Sequence, residues 1–108
     1  MKFSPKKIWN DSIKIIPGGN GLLTKRPERF LPDGWPTYYS KAKGYKIWDL
    51  NNNLLLDMSL MGVGTSVLGY SNEKVDKKVI KSIKKGINST LNSFEEYKLA
   101  KKILSIDT

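Results

Sequence analysis

Cysteine and histidine are both absent from the 108 residues. Without cysteine there are no disulfides, no thiolate metal ligands and no Cys/His nucleophilic pair. Without histidine there is no imidazole base or ligand and no Ser/His catalytic pair. Any chemistry must come from Asp, Glu, Lys, Arg, Tyr or a bound cofactor. Arginine is scarce, limited to Arg26 and Arg29. No apolar run approaches the ~20 residues of a membrane span, and MKFSPKKIWNDS lacks the continuous apolar core of a signal peptide. The expectation is therefore a cytoplasmic protein.

What is present fits a soluble globular chain: 39% apolar and 27% charged residues. Its length allows one domain at most. The formal charge of +9 raises the alternative of a small basic interaction module binding nucleic acid or an acidic partner. The distribution speaks against it. Lys74, Lys77, Lys78, Lys81, Lys84 and Lys85 fall on the polar face of one expected helix, and Lys98, Lys101 and Lys102 on another. No aromatics alternate with them as a stacking platform requires. Neither nucleic acid nor membrane is an expected partner.

Ser4-Pro5 predicts a helix start, with serine as N-cap and proline at the first helical position. Ile8, Ser12, Ile15 and Ile16 recur at helical spacing, Trp9 and Ile13 lie beside them, and Pro17 stops the helix near Ile16. Residues 20–36 show no period and hold prolines at 27, 32 and 36, so an irregular, anchored segment is expected. Both arginines lie in it. Each has two readings: a bidentate partner for a carboxylate or phosphate, or a surface charge paired with Glu28 or Asp33.

Thr37-Tyr38-Tyr39 is a short β-type run and Lys43-Gly44 a turn. Residues 45–50 alternate as a strand, Asn51-Asn52-Asn53 is a hairpin turn with Asn52 in glycine's usual place, and Leu54 to Met58 return as a second strand. The continuous leucines of that second strand call for cover on both faces. Gly62, Gly64 and Gly69 punctuate the loop that follows, where the backbone can approach a neighbour or ligand closely. Asn72 is the expected N-cap of a helix from Glu73 to about Lys85, with Val75, Val79, Ile80 and Ile83 as its buried stripe and Gly86 as its stop. Ser93-Phe94-Glu95-Glu96 predicts a capping box in which Glu96 returns to the cap, opening a helix that carries Tyr97, Leu99, Ala100, Ile103 and Leu104 inward.

The order of these features resembles the amino-terminal segment of class III pyridoxal-phosphate aminotransferases, and within them the glutamate-1-semialdehyde aminomutase branch. The resemblance is carried by Ile16-Pro17-Gly18-Gly19, Ala42-Lys43-Gly44, Trp48-Asp49, Asn53, Asp57, Leu68-Gly69, Val75, Lys85-Gly86, Glu96, Leu99 and Ala100, and covers residues 4–104. Family members have Gly at Asn52, an aromatic near Leu55, His at Tyr70 and Pro at Glu73. They resemble Gly-Ser-Trp-Gly-Pro where this chain has Leu60-Met61-Gly62-Val63-Gly64-Thr65, so the resemblance carries the family over and leaves amino transfer and the aminomutase step both open.

The resemblance implies an α+β amino-terminal segment of a type I pyridoxal-phosphate transferase fold: helix, irregular loop, β-hairpin and two helices over residues 1–108, with the large cofactor domain absent. It implies pyridoxal 5'-phosphate in the complete enzyme, held by a Schiff-base lysine and other groups outside this segment, which alone would be inactive and would not bind it. It implies small-molecule amino donors and acceptors and a homodimer, the segment covering the active-site mouth at the dimer interface. It makes Arg26 (or Lys25, by one residue of register) the candidate clamp for a substrate carboxylate. The backbone of Gly62, Val63, Gly64 and Thr65 becomes a candidate pocket lining. No catalytic or metal-binding residue is expected here.

Overall fold

Ser4 accepts the Lys7 amide with its hydroxyl, and Pro5 occupies the first turn, where a missing N–H costs nothing. The helix that results, α1 (Pro5–Ile15), ends as Pro17 requires, with Ile16 already extended. In the computed structural model, residues 2–31 and 33–106 are described. They fall into two units, residues 1–72 and 73–108.

In the first unit, α1 is followed by two short 3-10 turns, Leu23–Lys25 and Pro27–Arg29. Three antiparallel strands follow in the order β1 (Tyr39–Lys43), β2 (Lys46–Asp49), β3 (Leu54–Leu56). The first strand corrects the expected hairpin. It begins at Tyr39, the last residue of the expected Thr37-Tyr38-Tyr39 run, and adds a third member to the sheet, pairing Ala42 with Ile47 and Lys43 with Lys46. A register shift between Tyr39 and Lys41 breaks its alternation, which is why the sequence gives it little period-2 signal. Opposite it, Ile47 pairs with Leu55 and Trp48 with Leu54. Lys41 covers the Trp48 ring, its Nζ 4.9 Å from the centroid.

The asparagine turn forms as expected, with Asn52 at φ 62°. Asp49 is the clasp. One carboxylate oxygen accepts the Asn51 and Asn53 amides at 2.8 and 2.9 Å, and the other accepts the Asn53 side-chain amide at 2.8 Å. These bonds, that from the Asn53 side chain first, hold the Asp49 carboxyl below the usual aspartate range. Asn51 in turn ties the turn to the start of the chain, accepting the Phe3 amide at 2.8 Å and donating to the Phe3 carbonyl at 3.0 Å. The Tyr38 hydroxyl lies 3.0 Å from the Ser12 hydroxyl, fastening the approach to β1 against α1.

Very little is enclosed. Among the described residues, Trp9, at 6% exposure, is the buried hydrophobic side chain, and Asp49, at 8%, the buried charged one. Leu55 is half-buried, while Leu54, Leu56 and Met58 are exposed. The leucine strand thus lacks the two-sided cover its composition calls for.

The second unit holds α2 (Glu73–Ile83) and α3 (Phe94–Leu104). Gly86 takes φ 90° and donates its amide to the Ile83 carbonyl, the left-handed stop expected of it. Two expectations are corrected. Val75, Val79, Ile80 and Ile83 are each at least 44% exposed, and Tyr97, Leu99, Ile103 and Leu104 are likewise exposed. A unit with only two eleven-residue helices has too little of its own surface to bury such stripes. The Ser93 cap forms differently from a capping box. Its hydroxyl accepts the Glu95 amide at 3.3 Å and donates to the Glu95 carboxylate at 3.0 Å, so Glu95 and not Glu96 partners the cap, through the hydroxyl.

Candidate functional site

Proline and two glycines after α1 bring the chain back over its own helix. Gly18 and Gly19 have φ 74° and 79°, a region closed to most side chains, and each lies under a large group. A Cβ at Gly18 would sit 1.9 Å from the Arg26 guanidinium, and one at Gly19 would sit 2.5 Å from the Trp9 ring. The Pro-Gly-Gly turn is therefore the floor on which Arg26 and Trp9 lie. The Trp9 indole N–H donates to the Glu28 carboxylate at 2.6 Å, fixing the second 3-10 turn to α1.

Two adjoining cavities open around this cluster, sharing Trp9, Ile13 and Glu28. One, of about 350 Å³, is completed by Gly18, Leu23, Arg26 and Arg29. The other, of about 380 Å³, runs past Pro27, Trp35 and Thr37 to Asp49. The reading of Arg26 as a surface charge paired with Glu28 or Asp33 does not hold. Glu28 is taken by Trp9, and Asp33 by Lys6. Among the described residues Arg26 makes no ion pair, and its Nε is buried with no hydrogen-bond partner. A half-buried guanidinium with an idle donor, facing a cavity, suits a carboxylate or phosphate.

The second set of candidate residues lies in the loop after β3. Gly62, Val63 and Gly64 are three successive left-handed residues, at φ 59°, 59° and 80°. For β-branched Val63 this costs on the order of 1–2 kcal/mol, so the surroundings must hold it. Within the loop, the Gly64 amide donates to the Leu60 carbonyl at 3.0 Å, and the Thr65 hydroxyl donates to the Gly62 carbonyl at 2.6 Å. Neither cavity is lined by residues 62–65, so the structure does not bring Arg26 and this loop into one of them.

The residue that holds the loop is Tyr70. Its hydroxyl accepts the Gly62 amide at 2.9 Å and donates to the Asp57 carboxylate at 2.6 Å. The other Asp57 oxygen accepts the Ser59 hydroxyl at 2.6 Å and the Ser59 amide at 2.9 Å. The bond from the Ser59 hydroxyl, then that from Tyr70, lowers the Asp57 carboxyl from its ordinary 3.8. Burial, then the bond to Asp57, raises the Tyr70 phenol from its ordinary 10.0. In the sequence Asp57 reads only as a strand-end residue and Tyr70 only as a departure from a family histidine. No local pattern signals their pairing across thirteen residues.

The chain can be set beside known proteins on this geometry. No family model matches it. It is 29% identical over 97 residues to the 3-aminobutyryl-CoA aminotransferase of Cloacimonas acidaminovorans, a match covering 89% of this chain and 23% of that protein. It is 30% identical over 99 residues to the glutamate-1-semialdehyde 2,1-aminomutase of Methanosphaera stadtmanae, covering 92% of this chain and 22% of that protein. Among solved structures, the pyridoxal-phosphate internal aldimine form of the FumI protein of Sphingopyxis sp. MTA144 matches with a TM-score of 0.75. That match has 25% sequence identity and covers 89% of this chain and 22% of that one. The chain thus spans 22–23% of the length of these relatives.

Proposed function

We propose, for a chain whose sequence and fold match a segment of the class III pyridoxal-phosphate aminotransferase and aminomutase family, a role on the substrate side of such an enzyme. The complete protein would move an amino group between an amino donor and a carbonyl acceptor. Residues 1–108 would serve as its amino-terminal segment, lying over the mouth of the active site, with a second copy of the enzyme across the interface. The observation that carries this reading is the agreement of fold over nine-tenths of the chain with a protein in its internal aldimine form.

The cofactor's own ligands do not fit the residues at hand. Of the 17 lysines, Lys6 is the one lining a described cavity, and it is exposed and paired with Asp33. A Schiff-base lysine needs a desolvated amine, so the pyridoxal phosphate, which supplies the electron sink for the reaction, would be held by groups outside this segment. What this chain offers is binding and orientation. Arg26 would clamp a substrate carboxylate with its guanidinium, kept in place by the glycine floor beneath it. The loop of Gly62, Val63, Gly64 and Thr65 would form a pocket wall.

The test is spectroscopic. The full-length protein carrying this segment, incubated with pyridoxal phosphate, should develop the absorbance of an internal aldimine. An amino donor should bleach that band and a keto acid should restore it. A full-length protein that neither binds the cofactor nor responds to amino compounds would overturn the reading.

A further inference from the structure

The loop from Leu60 to Ser66 carries three successive left-handed residues, and short backbone bonds join its two ends to Ser59 and Gly69. From beyond this loop, the Tyr70 side chain bonds its backbone at Gly62. Tyr70 is itself fixed on the sheet side. Its amide and carbonyl exchange bonds of 2.9 and 2.8 Å with Gly44, at the turn between β1 and β2. Gly69 allows that approach. It takes φ 85°, and a Cβ there would lie 3.1 Å from the Gly44 Cα. From this base the phenol reaches both the end of β3, at Asp57, and the first left-handed residue of the loop, at Gly62.

We propose that Tyr70 is a positioning residue for the substrate-side loop: its hydroxyl, bonded at once to the Asp57 carboxylate and the Gly62 amide, transmits the geometry of the sheet to Gly62–Thr65. This rests on the reading of that loop as a pocket wall. The bonds have a direction. Asp57 is acceptor only, so the phenol proton points to it and the oxygen lone pairs are left for the Gly62 N–H. A carboxylate at residue 57 and a hydroxyl at residue 70 are both needed. Phenylalanine at 70 keeps the ring and removes both bonds. Asparagine at 57 keeps the shape but places an NH₂ donor where the phenol needs an acceptor.

The experiment uses the full-length protein with Tyr70→Phe, Asp57→Asn and the double variant. Two readouts are followed: limited proteolysis within residues 60–66, and steady-state KM and kcat for the amino donor. Losing a part-buried hydrogen-bond pair of this kind predicts cleavage about tenfold faster and a KM about tenfold higher, with kcat within about twofold. Asp57→Asn should match Tyr70→Phe, and the double variant should be no worse than either, because the two side chains act through one path. If Tyr70→Phe does not accumulate as folded protein, Asp57→Asn carries the test. Wild-type cleavage and KM in both single variants would overturn the proposal. Faster cleavage with unchanged KM would also overturn the substrate-side role. It would remove the loop from the pocket while leaving cofactor binding, tested by the aldimine band, untouched.

Discussion

The Tyr70 hydroxyl stands 2.6 Å from the Asp57 carboxylate, and Asp57 is held below the ordinary aspartate value of 3.8 by the Ser59 hydroxyl first and by this bond second. A carboxyl whose folded pKa is depressed contributes stability that is fully present above its unfolded value, about 3.9, and is lost as pH falls through the folded one. Protease sensitivity of residues 60–66 should therefore be flat from about pH 5 to pH 8 and rise only below about pH 4. The Tyr70 proton does not interfere, since the phenol is raised from 10.0. A loop that opens between pH 6 and 7 would contradict the assignment of Asp57 as its anchor.

Gly18→Ala should act on substrate binding without touching a substrate. The added methyl would fall 1.9 Å from the Arg26 guanidinium at a backbone angle of 74°, so Arg26 must leave its floor. In the full-length enzyme, KM for the carboxylate substrate should rise by about tenfold or more, as it should for Arg26→Ala, with kcat less affected. Arg26→Lys should not restore it, because a point ammonium lacks the planar fork. An unchanged KM in Arg26→Ala would remove the guanidinium from the site.

Trp9 joins the glycine turn, the second 3-10 turn and both cavities. Trp9→Ala should destabilise the segment by about 3–5 kcal/mol, the usual cost of deleting a buried large aromatic. Trp9→Phe, which keeps most of the ring but leaves Glu28 without its N–H donor, should cost about 1–3 kcal/mol. Urea unfolding midpoints of the full-length variants would check the order.

Asn51→Ala removes both bonds between the asparagine turn and Phe3. Because Phe3 is exposed and Asn51 only half-buried, the global cost should be no more than about 1 kcal/mol. The local effect should be sharper: faster hydrogen exchange at the Phe3 amide, with no change at Gly62.

Much of the local structure was legible because it is written in residues that act on their immediate neighbours. Ser4-Pro5, Pro17, Asn52 and Gly86 each did what their backbone preferences dictate. The first strand was not legible, because its polar, bulged sequence shows no alternation and only its pairing with β2 defines it. The Asp57–Tyr70–Gly62 connection was hidden for a related reason: a bridge between Gly44 and Tyr70, twenty-six residues apart, builds it. At Arg26 the sequence left two readings, and the engagement of Glu28 by Trp9 and of Asp33 by Lys6 removes the ion-pair one, while the carboxylate clamp stands as the proposal. The stripes of α2 and α3 are apolar as their periodicity implies, and exposed where burial is expected. Periodicity reports that a face needs cover, and says nothing of whether the same chain provides it.

Those uncovered faces lead to the most direct test. With one buried hydrophobic side chain among its described residues and leucines open along β3, the chain would, on the proposed reading, lie against a larger body. Thermal and urea unfolding of the isolated 108-residue polypeptide should show no cooperative transition, with strong binding of a hydrophobic dye at all temperatures. A sharp two-state transition, with the denaturant dependence expected of a fully enclosed domain of this size and no dye binding, would contradict the account.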